Sequence, residues 1–351
     1  MTIRVGLIGL NHGVEVHLPA YASSARYEVA AVCARTPGLA EGVAKNHNIP
    51  RWYTDAMQLI SDPEIDLVSF ATPPRTHAVF AAAALKAGKH VAIETPFVCN
   101  PMEARALMGL WRFKRIGAPA FALRYAPHLR LVSDLLAEKR LGRLLLMRVE
   151  IFSNFLAQAA QNYRWMWDGD NGGGVLANFT APVIDVAMRW FGPVREVTAN
   201  LATLLRTTPP EGAGTLADDT GFATLRFESG LLAHFSHSAV TAWPQTHMEV
   251  HGVDGTLIIG GFGDDLTLIR MGAGQTQPLY SPETYLEESR GHTGLAGGFQ
   301  VFVDRLADAI VGSAASTDLP TFGEGLEIMR VVEAIKLSSR ARRTVALTEI
   351  S

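Results

Sequence analysis

The sequence predicts an α/β protein that begins with a doubly wound parallel sheet. Three observations support this: an apolar strand that ends in a glycine turn, repeated strand–helix units over roughly the first 120 residues, and alternating stretches after about residue 145. We therefore expect a first domain over residues 1–121 and a second domain over residues 122–351.

The first element is a buried strand that runs into a glycine turn. Residues 3–8 are mostly apolar and rich in Val and Ile, as in a strand buried on both faces, and Gly9 and Gly13 punctuate the turn. A strand that enters a helix in this way points free N–H groups at one place, which suits a pyrophosphate. The dinucleotide fingerprint has glycine where Asn11 and Val14 stand, so a bare strand–turn–helix is an equally good interpretation of this fragment.

The end of the second strand bears on the choice of nucleotide. An apolar strand over 29–33 ends in Ala34, Arg35 and Thr36. An acidic residue at this position usually binds the ribose 2′-OH of NAD, and none is present. Arg35 beside Thr36 suits a 2′-phosphate, so the sequence predicts NADP(H) over NAD(H). A solvated surface arginine is the alternative interpretation.

Two further strands complete the first sheet. The stretch 66–72 is an apolar strand closed by Pro73 and Pro74, and a helix over 78–87 leads to a strand over 90–94. The two prolines stiffen the chain at the carboxyl edge of the sheet, where ligands bind in such folds. The repeated strand–helix order predicts that these strands are parallel.

Elements of the second domain have the alternation of half-buried strands. A late helix over 326–339 has one apolar face. The predicted strands are 145–152, 197–204, 220–227, 231–238 and 247–253.

Composition excludes several classes of function. The net charge is −3 and 19% of residues are charged, with no large basic cluster, so no nucleic-acid partner is expected. No signal peptide and no apolar span of about 20 residues occurs, so we expect no membrane partner and a cytoplasmic location. Cys33 and Cys99 are the only cysteines, and neither a disulfide framework nor a metal-ligand spacing is present. A small-molecule substrate is the expected partner.

Motifs spread along the whole chain follow the order of one known family. They are Gly9–Gly13, Thr72–His77, Ala87–Val91, Glu94–Pro96, Gly172–Gly174, Ile184–Asp185, Asp218–Thr220, Leu225–Gly230 and Gly252–Thr256. Together they resemble the Gfo/Idh/MocA oxidoreductases, the relatives of glucose–fructose oxidoreductase and inositol dehydrogenase. The resemblance implies a Rossmann domain and then an α/β domain with a large, open, mostly antiparallel sheet. By analogy with this architecture we expect a homodimer or homotetramer.

The resemblance also implies catalytic residues that this chain lacks. The family places a lysine in a Glu-Lys-Pro tripeptide, and this chain has Thr95 there. After the triple glycine the family has an aspartate and, four residues later, a histidine, where this chain has Asn178 and Pro182. Threonine and asparagine can orient a group but cannot shuttle protons near neutral pH. We therefore do not expect the usual sugar-alcohol mechanism.

The remaining polar residues supply the candidate site. Arg124 follows a predicted strand where the family commonly has a site arginine, and Tyr163 is the best remaining general acid, although its usual pKa of about 10 requires a neighbouring cation. The predicted catalytic residues are Thr95, Tyr163, Arg124 and Asn178, each with a purely structural role as the alternative. The predicted cofactor-binding residues are Gly9, Leu10, Asn11, His12, Gly13, Ala34, Arg35, Thr36, Thr72, Pro73, Pro74, His77, Glu94, Thr95, Arg124 and Trp165.

Three functions remain open at this stage. The first is an NAD(P)-dependent oxidoreductase that acts on a small carbonyl, imine or hydroxyl substrate with non-standard acid–base residues; the apolar residues around Asn178 favour a substrate with few hydroxyl groups. The second is a nucleotide-binding regulatory protein without turnover. The third is a non-redox lyase or isomerase.

Overall fold

The computed structural model describes residues 2–110, 115–159, 164–206, 208, 211, 214–270, 276–312 and 318–351. They form two compact units: unit 1 is Met1–Phe121 with Phe299–Leu326, and unit 2 is Ala122–Gly298 with Glu327–Ser351. The predicted domains differ in one segment, since 299–326 joins the N-terminal unit. Its first turn buries Phe299 and Phe302, and the Phe299 ring lies 4.4 Å from the His17 ring, which explains this membership.

Within the described part of unit 1, six parallel strands form a sheet in the order β3-β2-β1-β4-β5-β6. This is the strand order of a doubly wound dinucleotide-binding fold. The elements in chain order are β1 (Ile3–Ile8), α1 (Leu18–Ala22), β2 (Tyr27–Cys33), α2 (Pro37–Asn46), β3 (Arg51–Tyr53), α3 (Ala56–Ser61), β4 (Leu67–Phe70), α4 (His77–Lys86), β5 (His90–Ile93), α5 (Pro101–Met108) and β6 (Gly117–Pro119).

The direction of strand order reverses between β1 and β4. Both strands are almost wholly buried, as their apolar sequences predict for a sheet covered on two faces. Just beyond them, the N–H of Gly9 donates to the Cys33 carbonyl and the N–H of Ala71 donates to the Ile8 carbonyl. These bonds hold the strand ends side by side, so the turn after β1 lies at the switch point where such sheets bind ligands.

In unit 2, the described strands form a nine-stranded mixed sheet in the order β14-β13-β12-β11-β7-β10-β9-β8-β15. The β7–β10 pair is parallel, and the other pairs are antiparallel, which confirms the predicted fold class. The elements are α6 (Pro127–Ala137), β7 (Leu144–Phe152), α7 (Phe155–Ala159), α8 (Ala181–Phe191), β8 (Val194–Ala202), β9 (Thr220–Phe227), β10 (Leu232–Ser238), β11 (Gln245–Gly252), β12 (Gly255–Gly260), β13 (Asp265–Arg270), β14 (Thr276–Leu279), α9 (Glu283–Glu288) and β15 (Val345–Ala346).

Two long helices, α10 (Gly294–Val311) and α11 (Phe322–Ala341), each contribute residues to both units. In α11 the predicted apolar face is buried, with Met329, Val332 and Ile335 almost inaccessible. No helix in the described ranges combines the length and the apolar character needed to cross a bilayer.

Candidate functional site

The turn after β1 requires glycine at its first position. Gly9 has a φ of +98°, and a Cβ atom built there would lie 2.4 Å from the carbonyl oxygen of Ala71. The side chain of Leu10 is buried in an apolar cluster, which leaves only its backbone to face a ligand. A π-helical segment, Gly13–His17, follows and continues into α1. Because the first N–H groups of a helical segment have no intrahelical acceptor, the start of this segment has amide donors for a ligand, and its role in binding a pyrophosphate stays a prediction.

Glu94 lies directly after β5 and places its carboxylate beside this turn. Its Oε1 accepts hydrogen bonds from the N–H and the hydroxyl of Thr95, at 2.9 and 3.1 Å. Its Oε2 lies 2.6 Å from Nε2 of His17 and 3.8 Å from Nε2 of His12. The Glu94 side chain is only 12% exposed, so its carboxylate has little contact with water and faces the imidazoles of His12 and His17.

A polar chain behind Glu94 holds His17 in place. The fully buried His17 ring has Nδ1 2.9 Å from the hydroxyl oxygen of Ser69, and the Tyr21 hydroxyl donates to the same oxygen at 3.1 Å. Sequence reasoning missed His17 and Ser69. A usable signal was present, because a serine inside a strand buried on both faces needs a hydrogen-bond partner.

The donor atoms of His12, His17 and Glu94 all lie within 4.8 Å of one another, an arrangement that could hold a metal ion. His12 and His17 lie five residues apart at the start and the end of one π-helical segment, whereas Glu94 follows β5, so the spacing of residues along the sequence could not reveal the whole group. The hydrogen bond between His17 and Glu94 already satisfies two of the three donor atoms without a metal.

The ionisation of this cluster follows from its surroundings. Burial would raise the pKa of Glu94, but hydrogen bonding from His17, the nearby imidazoles and the Thr95 N–H lower it to about 2. Burial lowers the pKa of His17 and outweighs the effect of Glu94. At neutral pH the pair is therefore a carboxylate beside a neutral imidazole.

We expect this cluster to make the protein acid-sensitive. The folded-state pKa of Glu94 is about 2 against an ordinary value of 4.5, so its contribution is present above about pH 4.5 and is lost as the pH falls towards 2. The loss amounts to about 3 kcal/mol. The lowered pKa of His17 acts in the same direction, beginning as the pH falls below 6.5. Calorimetric Tm values across this pH range measure the effect.

Glu94→Gln is the informative variant for this prediction, because it removes the ionisation and keeps the shape. It should be less stable than the wild type at neutral pH and should lose less stability on acidification. The same acid dependence in both proteins contradicts the assignment.

His77 connects the ends of β4 and β5. Its ring is fully buried, with Nε2 2.7 Å from the Thr72 carbonyl oxygen and Nδ1 3.0 Å from that of Pro96. Both ring nitrogens therefore face backbone carbonyls. Its predicted role beside the cofactor stays a prediction, and the observed contacts give it a structural one.

Arg35 lies just after β2 and is exposed, with Thr36 beside it at the start of α2. Within the described residues it makes no ion pair. The guanidinium is therefore available to a ligand at the edge of the sheet, as the prediction of a 2′-phosphate contact requires.

In unit 2, Asn178 lies on a π-helical segment, Leu176–Thr180, and the four-residue spacing to Pro182 therefore crosses from a π-helix into α8 rather than following one α-helical face. The Asn178 side-chain amide donates to the carbonyls of Gly172 and Gly174, at 3.2 and 2.7 Å. These bonds tie it to the triple glycine and leave its Oδ1 as the atom able to orient another group.

The same segment carries a polar cluster that sequence reasoning missed. Thr180 Oγ1 lies 3.0 Å from Nδ1 of His237, and Nε2 of His237 lies 3.6 Å from a carboxylate oxygen of Asp218. That oxygen accepts the N–H of Leu176 at 2.8 Å. Asp218 lies in the loop before β9 and His237 lies in β10, so no local pattern predicts their pairing.

The remaining predicted residues have varied positions. Arg124 is buried in an ion pair with Asp185, in which its Nε donates to Oδ2 at 3.0 Å and its Nη2 to Oδ1. Trp165 is half-buried against an apolar cluster around Trp167. Tyr163 lies outside the described residues. Site roles for these three stay predictions.

The parallel sheet, its switch point and the glycine turn define a dinucleotide-binding protein of the Rossmann type. A model described as the NAD-binding Rossmann fold of an oxidoreductase family matches residues 3–114, and one described as the GFO/IDH/MocA C-terminal domain matches residues 129–258. The chain belongs to the Gfo/Idh/MocA family of NAD-binding oxidoreductases.

Known relatives agree with this assignment. The chain is 27% identical over 290 residues to a levoglucosan dehydrogenase of Pseudarthrobacter phenanthrenivorans, covering 73% of each chain. The structure is similar to that of an NAD binding oxidoreductase from Klebsiella pneumoniae, with a TM-score of 0.85, 26% identity and 99% of each chain covered. A levoglucosan dehydrogenase in complex with NADH and levoglucosan has a TM-score of 0.89 at 24% identity, covering 99% of this chain and 100% of that one, which shows a shared fold.

Proposed function

We propose that the protein is an oxidoreductase that uses NADP(H) in preference to NAD(H) and acts on a small carbonyl, imine or hydroxyl compound. The observation that carries the proposal is the turn at Gly9, where a Cβ atom would meet the Ala71 carbonyl at 2.4 Å. Such a turn lets backbone amides approach a pyrophosphate closely.

The residues present fit a nicotinamide dinucleotide. The amides that follow Gly9, from Leu10 to Gly13, would hold the pyrophosphate, and Arg35 with Thr36 would hold a 2′-phosphate. The bound nicotinamide supplies or accepts a hydride, and the protein supplies binding, orientation and proton transfer. Thr95 is anchored to Glu94, so its hydroxyl oxygen remains free to accept a hydrogen bond.

The nucleotide preference has a direct test. We expect Arg35→Ala to weaken NADPH binding about tenfold, through the loss of a charge-assisted contact, and to leave NADH binding almost unchanged. Fluorescence titration of both nucleotides measures the change. Arg105→Ala is the matched control, since Arg105 is an exposed arginine on α5. Equal effects of Arg35→Ala on the two nucleotides, or tighter NADH binding by the wild type, contradict the preference.

The substrate class follows from what the site offers. Asn178 has its amide donors bonded to backbone, and Phe179, Ala181 and Pro182 beside it are apolar. Sugars require many placed hydrogen bonds, so this segment favours a substrate with few hydroxyl groups. Levoglucosan should nevertheless be tested as a substrate, because one relative of this chain is a levoglucosan dehydrogenase.

A nucleotide-binding regulatory protein is the second candidate function. It is favoured by Thr95, whose hydroxyl hydrogen bonds to Glu94, and by Asn178, neither of which titrates near neutral pH. Identification of any copurified nucleotide, followed by absorbance assays of reduced nicotinamide with imines, enones, levoglucosan and other sugars, separates the candidates. Turnover on any panel member supports the oxidoreductase, and tight binding without turnover supports the regulatory protein. Product formation with no change in nucleotide redox state supports a lyase or isomerase.

A further inference from the structure

His12 lies on the glycine turn, and the sequence analysis assigned it to cofactor binding. Its side chain is 37% exposed, and its Nε2 is 3.8 Å from Oε2 of Glu94. A side-chain rotation that brings these atoms about 1 Å closer makes a charge-assisted hydrogen bond. Thr95, which follows Glu94, stands where the family resemblance expects the proton-carrying lysine.

The other groups around Glu94 have fixed proton positions. The Tyr21 hydroxyl donates to Ser69, which directs the Ser69 proton to Nδ1 of His17. His17 therefore carries its proton on Nε2 and donates it to Oε2 of Glu94. Thr95 donates both of its protons to Oε1. His17 is completely buried, and its ring lies 5.9 Å from that of His12 in an edge-on contact.

Glu94 is thus a carboxylate anchored by donors on its inner side, and His12 approaches it from the more exposed side. A fixed carboxylate next to an accessible imidazole is the arrangement that orients a histidine for proton transfer. Among the described groups that face Glu94, His17 is completely buried and keeps its proton on Nε2, so His12 is the imidazole that a ligand can reach.

We propose that His12 transfers the proton in the reaction of this protein and that Glu94 is its positioning residue. The inference rests on the proposed oxidoreductase function. In the reductive direction, the carbonyl or imine carbon gains the hydride that the reduced nicotinamide supplies. The oxygen or nitrogen gains the proton released by His12 as the carbon–heteroatom π bond breaks, and solvent reprotonates the imidazole. His12 thereby takes the role of the family's lysine, because Thr95 cannot carry a proton near neutral pH.

The first experiment needs no substrate. Diethyl pyrocarbonate acylates accessible imidazoles, and peptide mass spectrometry locates the product. We expect His12 to react in the free protein, NADPH to protect it, and the exposed His47 to react equally in both states. Modification of His12 that saturating NADPH leaves unchanged overturns the proposal.

The second experiment measures turnover on the best substrate of the panel. We expect His12→Gln to lower kcat by about 100-fold or more while NADPH affinity changes less than about threefold. His47→Gln should match the wild type. Unchanged kcat in His12→Gln overturns the proposal, as does activity that a chelator abolishes and Zn²⁺ restores. Failure of wild-type NADPH binding instead contradicts the proposed function itself.

Discussion

Gly9→Ala is expected to abolish nucleotide binding and to lower Tm by several degrees. The new Cβ atom would stand 2.4 Å from the Ala71 carbonyl oxygen and 2.9 Å from the Thr72 nitrogen, both backbone atoms at the end of β4. The φ of +98° adds strain for any residue with a side chain. Together these terms cost about 3 kcal/mol, unless the turn moves and takes its amides away from the ligand.

The control for this variant is Gly42→Ala in α2. A Cβ atom there has no neighbour within 4 Å, and alanine is a better helix former than glycine. We expect a small increase in Tm and unchanged nucleotide affinity. If Gly9→Ala binds NADPH as the wild type does, the turn is not the pyrophosphate site.

Arg124→Ala is expected to destabilise unit 2 by about 3–5 kcal/mol, because it leaves the Asp185 carboxylate buried without its guanidinium. The two side chains are 1% and 3% exposed, so water cannot replace the lost partner. Chemical denaturation followed by fluorescence measures the loss. Arg140→Ala is the control, since its ion pair with Glu138 is exposed and contributes little.

Substitution of both Arg124 and Asp185 also tests whether Arg124 contributes to nucleotide binding or turnover. Replacing both residues by apolar ones, as in Arg124→Met with Asp185→Leu, should recover much of the stability, because no buried charge is left unpaired. If the double variant is stable and binds and turns over normally, Arg124 has only a structural role. If it is stable but binds nucleotide more than about tenfold more weakly, the predicted cofactor role of Arg124 gains support.

The fold class was predictable because it depends on local patterns. The apolar run before Gly9, the prolines after β4 and the alternation in β7 each report burial or turn geometry residue by residue. Strands β3 and β6 have three residues each and β15 has two, which is too short for a periodic pattern to be recognised. The sequence did not indicate that the segment 299–326 packs with unit 1, since a buried helix face does not specify which element covers it.

The sequence by itself determined the parallel sheet and the glycine turn, because each depends on consecutive residues. The position of Thr95 where the family resemblance implies a lysine stays a prediction. Tertiary structure alone decided that His12 and His17 meet Glu94, that Ser69 orients His17, and that Arg124 is paired with Asp185. Those partners are separated by tens of residues. The histidines meet Glu94 because the parallel strands β1 and β5 bring their carboxyl ends to one edge of the sheet, whereas Arg124 and Asp185 meet through the packing of helical segments. The sequence shows which side chains are present. Proton transfer also requires two groups to lie within a few ångströms of each other, and only the packing of the folded chain fixes those distances.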